Sequence, residues 1–362
     1  MINQETTSPA RRRVLSGMRP TGKLHLGNYM GALKNWVSLQ HQYECYFFIA
    51  DYHALTTDYA DTASLRQNIA EVALDFLAAG LDPARCTVFL QSHVPQHAEL
   101  HVVLSMITPL SWLERVPTYK DQQEQLREKD LATYGFLGYP LLQTADILVY
   151  QPEFVPVGQD QAAHVEITRE IARRFNHLYG AKRAVVAAAK SDKERLAELE
   201  QQEDVREILP EPKLLLTPSP KLPGTDGRKM SKSYGNTILL SDPEPDIRAK
   251  LKTMVTDPAR VRRTDPGDPE KCPVYDLHKV FSPPDVQAAA AEGCRTAGIG
   301  CIQCKGWVAD AIVAELGPMQ ERRRHFEANP TEVTAILNEG AGRARACAAA
   351  TMQQVRAAVG LE

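Results

Sequence analysis

Two apolar runs, Val14-Leu15 and Cys45-Tyr46-Phe47-Phe48-Ile49-Ala50, flank an amphipathic stretch from Asn28 to Tyr43. Buried parallel strands read as short continuous apolar runs. A strand, a helix and a second strand need roughly 30 residues or more, and this spacing predicts such a βαβ unit. The first strand leads into the helix through Ser16-Gly17-Met18-Arg19-Pro20-Thr21-Gly22-Lys23-Leu24-His25-Leu26-Gly27. A glycine-bearing loop that opens a helix can bring backbone N–H groups close to an anion. His25 stands where its imidazole could reach the same anion. Taken alone, the loop reads more readily as an ordinary βα turn.

The alternation continues. Leu65, Ile69, Val72, Phe76 and Leu77 mark a helix stopped by Gly80, and Thr87 to Leu90 is a further short strand. Pro95 to Arg115 reads as mostly helical, and Tyr119 to Asp130 as a polar stretch. Leu141 to Tyr150 fits helix or strand. Val155-Pro156-Val157-Gly158 reads as a strand and turn, followed by a helical stripe at Val165, Thr168, Ile171, Ala172, Phe175 and Leu178. Residues 181–212 are charged and read as an exposed helical excursion, Leu214-Leu215-Leu216 as a last strand, and 218–237 as a loop. Beyond Pro243 the pattern is helical. The expectation is a doubly wound, Rossmann-like α/β nucleotide-binding domain over 1–242, with a helical domain over 243–362.

A content of 43% hydrophobic and 24% charged residues is ordinary for a soluble protein. The net charge of −3 argues against a uniformly basic nucleic-acid binder while leaving room for local basic patches. No signal peptide or membrane span is visible, so a cytoplasmic location is expected.

The second chemical signal is Arg228-Lys229-Met230-Ser231-Lys232-Ser233, in the loop after the last strand. Two lysines flanking hydroxyls can cover a polyphosphate and supply positive charge as negative charge shifts; alone, this is a solvated basic loop. Jointly, Pro20 to Asn28 and Lys229 to Ser233 resemble the two signature motifs of class I aminoacyl-tRNA synthetases. His25-Leu26-Gly27-Asn28 fills the first, with Asn28 in place of a second histidine, as in the tryptophan and tyrosine members. Asp51-Tyr52-His53-Ala54, Tyr139-Pro140, Ala145-Asp146-Ile147-Leu148, Val155 to Gln161 and Arg173-Arg174-Phe175-Asn176 extend the likeness to the tryptophanyl-tRNA synthetase family. Arg19 and Gln143 depart from a more usual glutamine and methionine beside the amino-acid pocket.

The resemblance implies ATP-dependent activation of L-tryptophan, with Mg²⁺, and transfer to the 3′ end of tRNA(Trp) by a homodimer. It assigns His25, Asn28, Lys229 and Lys232 to catalysis. It places Met18, Arg19, Pro20, Gly27, Asn28, Gly158, Gln159, Asp160, Leu222, Lys229, Met230, Ser231, Lys232 and Ser233 around ATP. Gly17, His53, Tyr139, Gln143, Asp146 and Gln161 fall around tryptophan, with Asp146 accepting the indole N–H. A tyrosine–tRNA ligase is the near alternative. An iron–sulfur RNA-binding or sensor protein with an inactive nucleotide fold is the distant one.

Cys272, Cys294, Cys301 and Cys304 fall within a short stretch of a chain with seven cysteines. Four thiolates can close a zinc site or bind a 4Fe–4S cluster, and free thiols are the remaining reading. The spacing resembles a branch of the family that carries a 4Fe–4S cluster, in a region where Arg260, Arg262, Arg263, Lys271, Arg295 and Lys305 could meet tRNA phosphates.

Overall fold

The structure is a computed structural model describing residues 11–117, 119–120, 129–158, 162–180, 207–216 and 221–362. Five strands, β1 (Arg13–Met18), β2 (Glu44–Ile49), β3 (Cys86–Leu90), β4 (Phe154–Val157) and β5 (Lys213–Leu216), form one sheet in the order β3-β2-β1-β4-β5. All four pairings are parallel, with Val14 opposite both Cys45 and Phe154. The helical packing comes chiefly from α1 (Leu65–Ala79), α2 (Tyr139–Leu148), α3 (Ala162–Tyr179), α4 (Cys301–Ala328) and α5 (Pro330–Val359).

Successive strand residues point to opposite faces, and two cores result. Val14, Phe47 and Val88 join one cluster with Val72 and Phe76 of α1. Leu15, Phe48 and Phe89 join the other with Ile147 of α2 and Ile171 of α3. Trp36 stacks on Phe47 with centroids 4.9 Å apart. The ambiguous 141–150 stretch is helix to Leu148, closed by a turn at Val149 and Tyr150. Its alternatives separate only in three dimensions, because a buried helix and a buried strand carry the same apolar run.

The change to a helical pattern beyond Pro243 does not interrupt the packing. Ile312 and Leu316 of α4 belong to the first cluster, and Ala344, Ala348 and Met352 of α5 to the second. The edge strand β3 is covered by α5. A Cβ on Gly340 would lie 1.9 Å from Val88 O, so only glycine permits the approach. Arg343 donates to Pro83 O and Cys86 O, and Arg345 to His93 O, fixing α5 at both ends of the strand. Most of the 181–212 excursion lies outside the described residues.

Candidate active site

The strand order reverses between β1 and β4, and their carboxyl ends part to leave a crevice, the usual place for a ligand in a doubly wound sheet. A cavity of about 520 Å³ opens there. It is lined by Gly17, Met18 and Arg19 from the end of β1, Gly27 and Asn28 from the helix opening, and Gly158 after β4; His53, Tyr139, Gln143 and Asp146 complete it. The two sets of sequence-predicted residues, separated by more than a hundred positions, meet in one space. Gly17 is required by its neighbour, since a Cβ there would sit 2.5 Å from the Phe48 ring. Gln159, Asp160 and Gln161 lie outside the described residues.

At the floor, Asp146 is 1% exposed on α2. Its Oδ2 lies 2.8 Å from His53 Nε2, and its Oδ1 accepts from Gln91 Nε2 at 2.7 Å and lies 2.6 Å from His97 Nδ1. The far nitrogen of His97 lies 2.8 Å from the Tyr150 hydroxyl. Burial alone would raise the Asp146 carboxyl; hydrogen bonds from His53 and His97 outweigh it and hold the group well below the ordinary carboxylate range. Gln91, His97 and Tyr150 were missed in the sequence. The signal available for His97 is its place with Leu100 and Leu104 on the buried face of one helix, where a histidine needs a polar partner.

Arg19 donates to Thr57 Oγ1 and stands 3.5 Å from Asp58, with its Nε buried and without a hydrogen-bond partner. Burial lowers its pKa against the pull of Asp58.

The side of the cavity around His25 is built largely from backbone. Asn28 Oδ1 accepts the His25 N–H at 3.1 Å, closing the first turn of the helix that starts at Leu26. Leu26 N–H donates to Ile238 O and Leu240 N–H to Leu24 O, so the chain returning from the lysine-rich loop brackets His25. His25 is 8% exposed, and burial, then Lys232 and Lys229, lower its pKa to about 4. It is therefore neutral at pH 7, a donor or acceptor rather than a cation. Positive charge falls to the lysines. Lys232 Nζ donates to Thr21 O and Gly22 O, both at 2.9 Å, and burial lowers its pKa. Gly22 takes φ +93° beneath it.

Leu222 and Met230 are buried in the first core and joined by the bond from Met230 N–H to Leu222 O. They shape the loop and lie away from the cavity lining, as does buried Pro20. Ser231 N–H donates to Asn236 Oδ1, while Lys229 and Ser233 are exposed.

The four C-terminal cysteines come from three elements. Cys272 precedes the helix Pro273–Phe281, Cys294 nearly ends Pro284–Arg295, and Cys301 and Cys304 open α4. They are near enough to act on one another: burial first, then Cys272, Cys294 and Cys301, push the Cys304 thiol up to about 12. A Cβ on Gly267 would lie 2.7 Å from Cys294 Sγ, so the loop hugs that thiol. Yet among the described residues no three or more His, Cys, Asp or Glu side chains are grouped so as to hold a metal ion. The expected centre is thus a convergence of thiols and not a closed ligand set; Cys304 Sγ is turned to His278 Nε2, 3.4 Å away.

Residues 7–317 match the family model described as tRNA synthetases class I (W and Y). The chain is 51% identical to the tryptophan–tRNA ligase of Ralstonia nicotianae, over 96% of this chain and 98% of that one. It is 48% identical to that of Thermotoga maritima, over 96% and 99%. Among solved structures, tryptophanyl-tRNA synthetase from Campylobacter jejuni, complexed with ADP and tryptophan, superposes with a TM-score of 0.81 at 33% identity, covering 96% of this chain and 99% of that one.

Proposed function

The chain belongs to the class I tRNA synthetases that serve tryptophan and tyrosine, and we propose that within them it acts as a tryptophan–tRNA ligase. The observation that carries the choice of amino acid is Asp146, an ionised carboxylate at the floor of the cavity. An indole N–H is a donor that such a group can accept, and a site built around that bond rejects side chains lacking it. Tyr139 and Gln161 are assigned to the ammonium end, with Gly17, His53 and Gln143 beside the ring.

In the first step the tryptophan carboxylate attacks the α-phosphorus of ATP, the bond to the bridging oxygen breaks, and pyrophosphate leaves with its electron pair. In the second, the terminal ribose hydroxyl of tRNA(Trp) attacks the acyl carbon, the bond from that carbon to the phosphate oxygen breaks, and AMP leaves with the hydroxyl's proton on its phosphate. A carboxylate needs no general base at neutral pH, so the work is positioning and charge stabilisation. Neutral His25 and Asn28 hold the phosphates at the helix start. Lys232 exchanges the carbonyls of Thr21 and Gly22 for phosphate oxygens and, with Lys229, follows the leaving pyrophosphate. Mg²⁺ arrives with ATP as part of the substrate and shares that charge.

Tryptophan-dependent ATP–pyrophosphate exchange and charging of tRNA(Trp) by anaerobically purified protein test the reading. Exchange driven by tyrosine in preference to tryptophan would overturn it. The homodimer is supported by exposed Val102, Met106 and Leu110, which run from the helix Gln96–Ser105 through its end to the start of the next helix (52%, 75% and 60% exposed), and is checked by sedimentation equilibrium. Among the described residues no helix is long and apolar enough to cross a membrane.

For the cysteine region the reading is a 4Fe–4S cluster held by Cys272, Cys294, Cys301 and Cys304, with Zn²⁺ as the alternative occupant. Four thiolates are the donor chemistry that either group takes, and the four thiols would have to close on it, since among the described residues they are not drawn into a ligand set as they stand. The cationic setting suits the net negative charge that either group would carry on four thiolates: buried Arg260 faces Cys294, and Lys305 faces Cys272, Cys301 and Cys304; the choice of cluster over zinc rests on the spacing of the cysteines. Bound there, the group would cross-link three helical segments beside the basic surface. A broad absorption near about 400 nm that bleaches on reduction, with matching iron and sulfide, is expected; zinc alone, or no metal, would remove the cluster.

A further inference from the structure

A buried ion pair outside the cavity ties the C-terminal helices to the loop that opens the ATP site. Asp75, 1% exposed in the middle of α1, accepts the Leu24 N–H at 2.7 Å, one residue before His25. Its other oxygen accepts from Arg323 of α4, itself 5% exposed. Arg323 also reaches Glu71, and its Nε donates to Glu327 at 2.7 Å. Burial raises the Asp75 carboxyl while Arg323 and the Leu24 N–H oppose it. An apolar pair would fill this space without desolvating charge, so the polarity asks for a use.

A second contact leads to the same helix. Gln320 lies nearly one turn before Arg323 and donates to Leu240 O at 3.3 Å and Asp242 O at 2.8 Å. Leu240 belongs to the segment that brackets His25, bonded to Leu24. Both flanks of His25 are therefore pinned, and both pins end on α4. Asp75 also acts electrostatically on Lys232, the loop lysine tethered at Thr21 and Gly22.

We propose that Asp75 and Arg323 are positioning residues for adenylate formation. They fix the backbone at Leu24 so that His25 and the helix opening meet the phosphates, while Gln320 holds the returning segment in register with them. Neither touches substrate; they act through Leu24 and Leu240. The proposal rests on the ligase reading only for its kinetic arm.

Arg323→Met and Asp75→Leu are compared with the parent in tryptophan-dependent exchange, tryptophan binding and amide hydrogen exchange. Misplacing a reacting group by an ångström can cost about 100-fold in rate. The expectation is a kcat loss of about 10- to 100-fold, a nearly unchanged Kd for tryptophan, and faster amide exchange at Leu24 and Leu26. Arg323→Lys, which keeps the charge, should recover part of the rate. Should Arg323→Met fail to fold, Arg323→Lys and Gln320→Leu carry the test with the same expected split. Folded variants with parental kcat, or with kcat and tryptophan affinity lost together, overturn the proposal. A parent inactive with tryptophan would sink the ligase reading instead. Leu24 amide exchange in Asp75→Leu would then still decide the positioning claim: faster exchange supports it, and parental exchange overturns it.

Discussion

The two ends of the cavity are built in different ways. At the end proposed to take tryptophan, side chains hold one another: Asp146 has three donors around it and His97 passes on to Tyr150, all buried. At the end proposed to take the phosphates, backbone does the holding. His25 is bracketed by main-chain bonds, its Nδ1 is buried without a hydrogen-bond partner, and Lys232 rests on two carbonyls it can release. A pocket that chooses among amino acids gains from a fixed, fully satisfied floor, because an unmatched donor or acceptor then costs most. A site that follows moving charge gains from donors not already committed.

The largest expected effect breaks the tryptophan end. Asp146→Ala should cut the preference for tryptophan over tyrosine by up to about 10⁴-fold, measured as the ratio of kcat/KM values in exchange, with KM for ATP little changed. An unaltered ratio would end the assignment. Removing one member of this buried charged network should also lower unfolding stability by about 3–5 kcal/mol, read by denaturant titration. Asp146→Asn keeps the shape and separates the two effects.

Next comes the phosphate end. Lys232→Ala should slow exchange by about 10²–10³-fold, equivalent to roughly 3–4 kcal/mol of transition-state stabilisation, while tryptophan binding stays nearly constant. Equal loss of both would erase the contrast between the two ends.

The smallest effect sharpens the comparison through pH. His25 has its pKa lowered to about 4 in the folded chain, against an unfolded value near 6.5. As pH falls below 6.5 the unfolded state takes up the proton first, so the folded state loses stability down to about pH 4. Above pH 6.5 the contribution is fully present. The stability difference between parent and His25→Gln should therefore shift by about 3 kcal/mol between pH 7 and pH 4. A difference independent of pH would mean that His25 is not held neutral.

What could be read in the sequence tracks how local each feature is. The strand–loop–helix opening and the lysine-rich loop are each contiguous, and only read together do they suggest a phosphate site. The sheet was legible because its strands are continuous apolar runs set between helices. The floor of the pocket was half legible: Asp146 was visible through its family motif, whereas His97 and Gln91 reach it from 49 and 55 positions away. Asp75 stood as one acid among Val72, Phe76 and Leu77, and its partner Arg323 lies 248 positions on. No periodicity reports such a pairing. That His25 is neutral also escaped the sequence, since it follows from burial and from two lysines brought back across the fold.

The seal on β3 has a consequence for how the chain is made. The strand is synthesised early, but the helix that covers its free edge meets it across as many as 257 positions, through Arg343 and the glycine at 340. During vectorial synthesis the nascent sheet waits with that edge bare. An uncovered edge is a template for another strand. A ribosome stalled before α5 would thus release a sheet prepared to pair with its neighbours, and Gly340→Ala, by lifting the helix from the strand, would leave even the finished chain prone to the same fate.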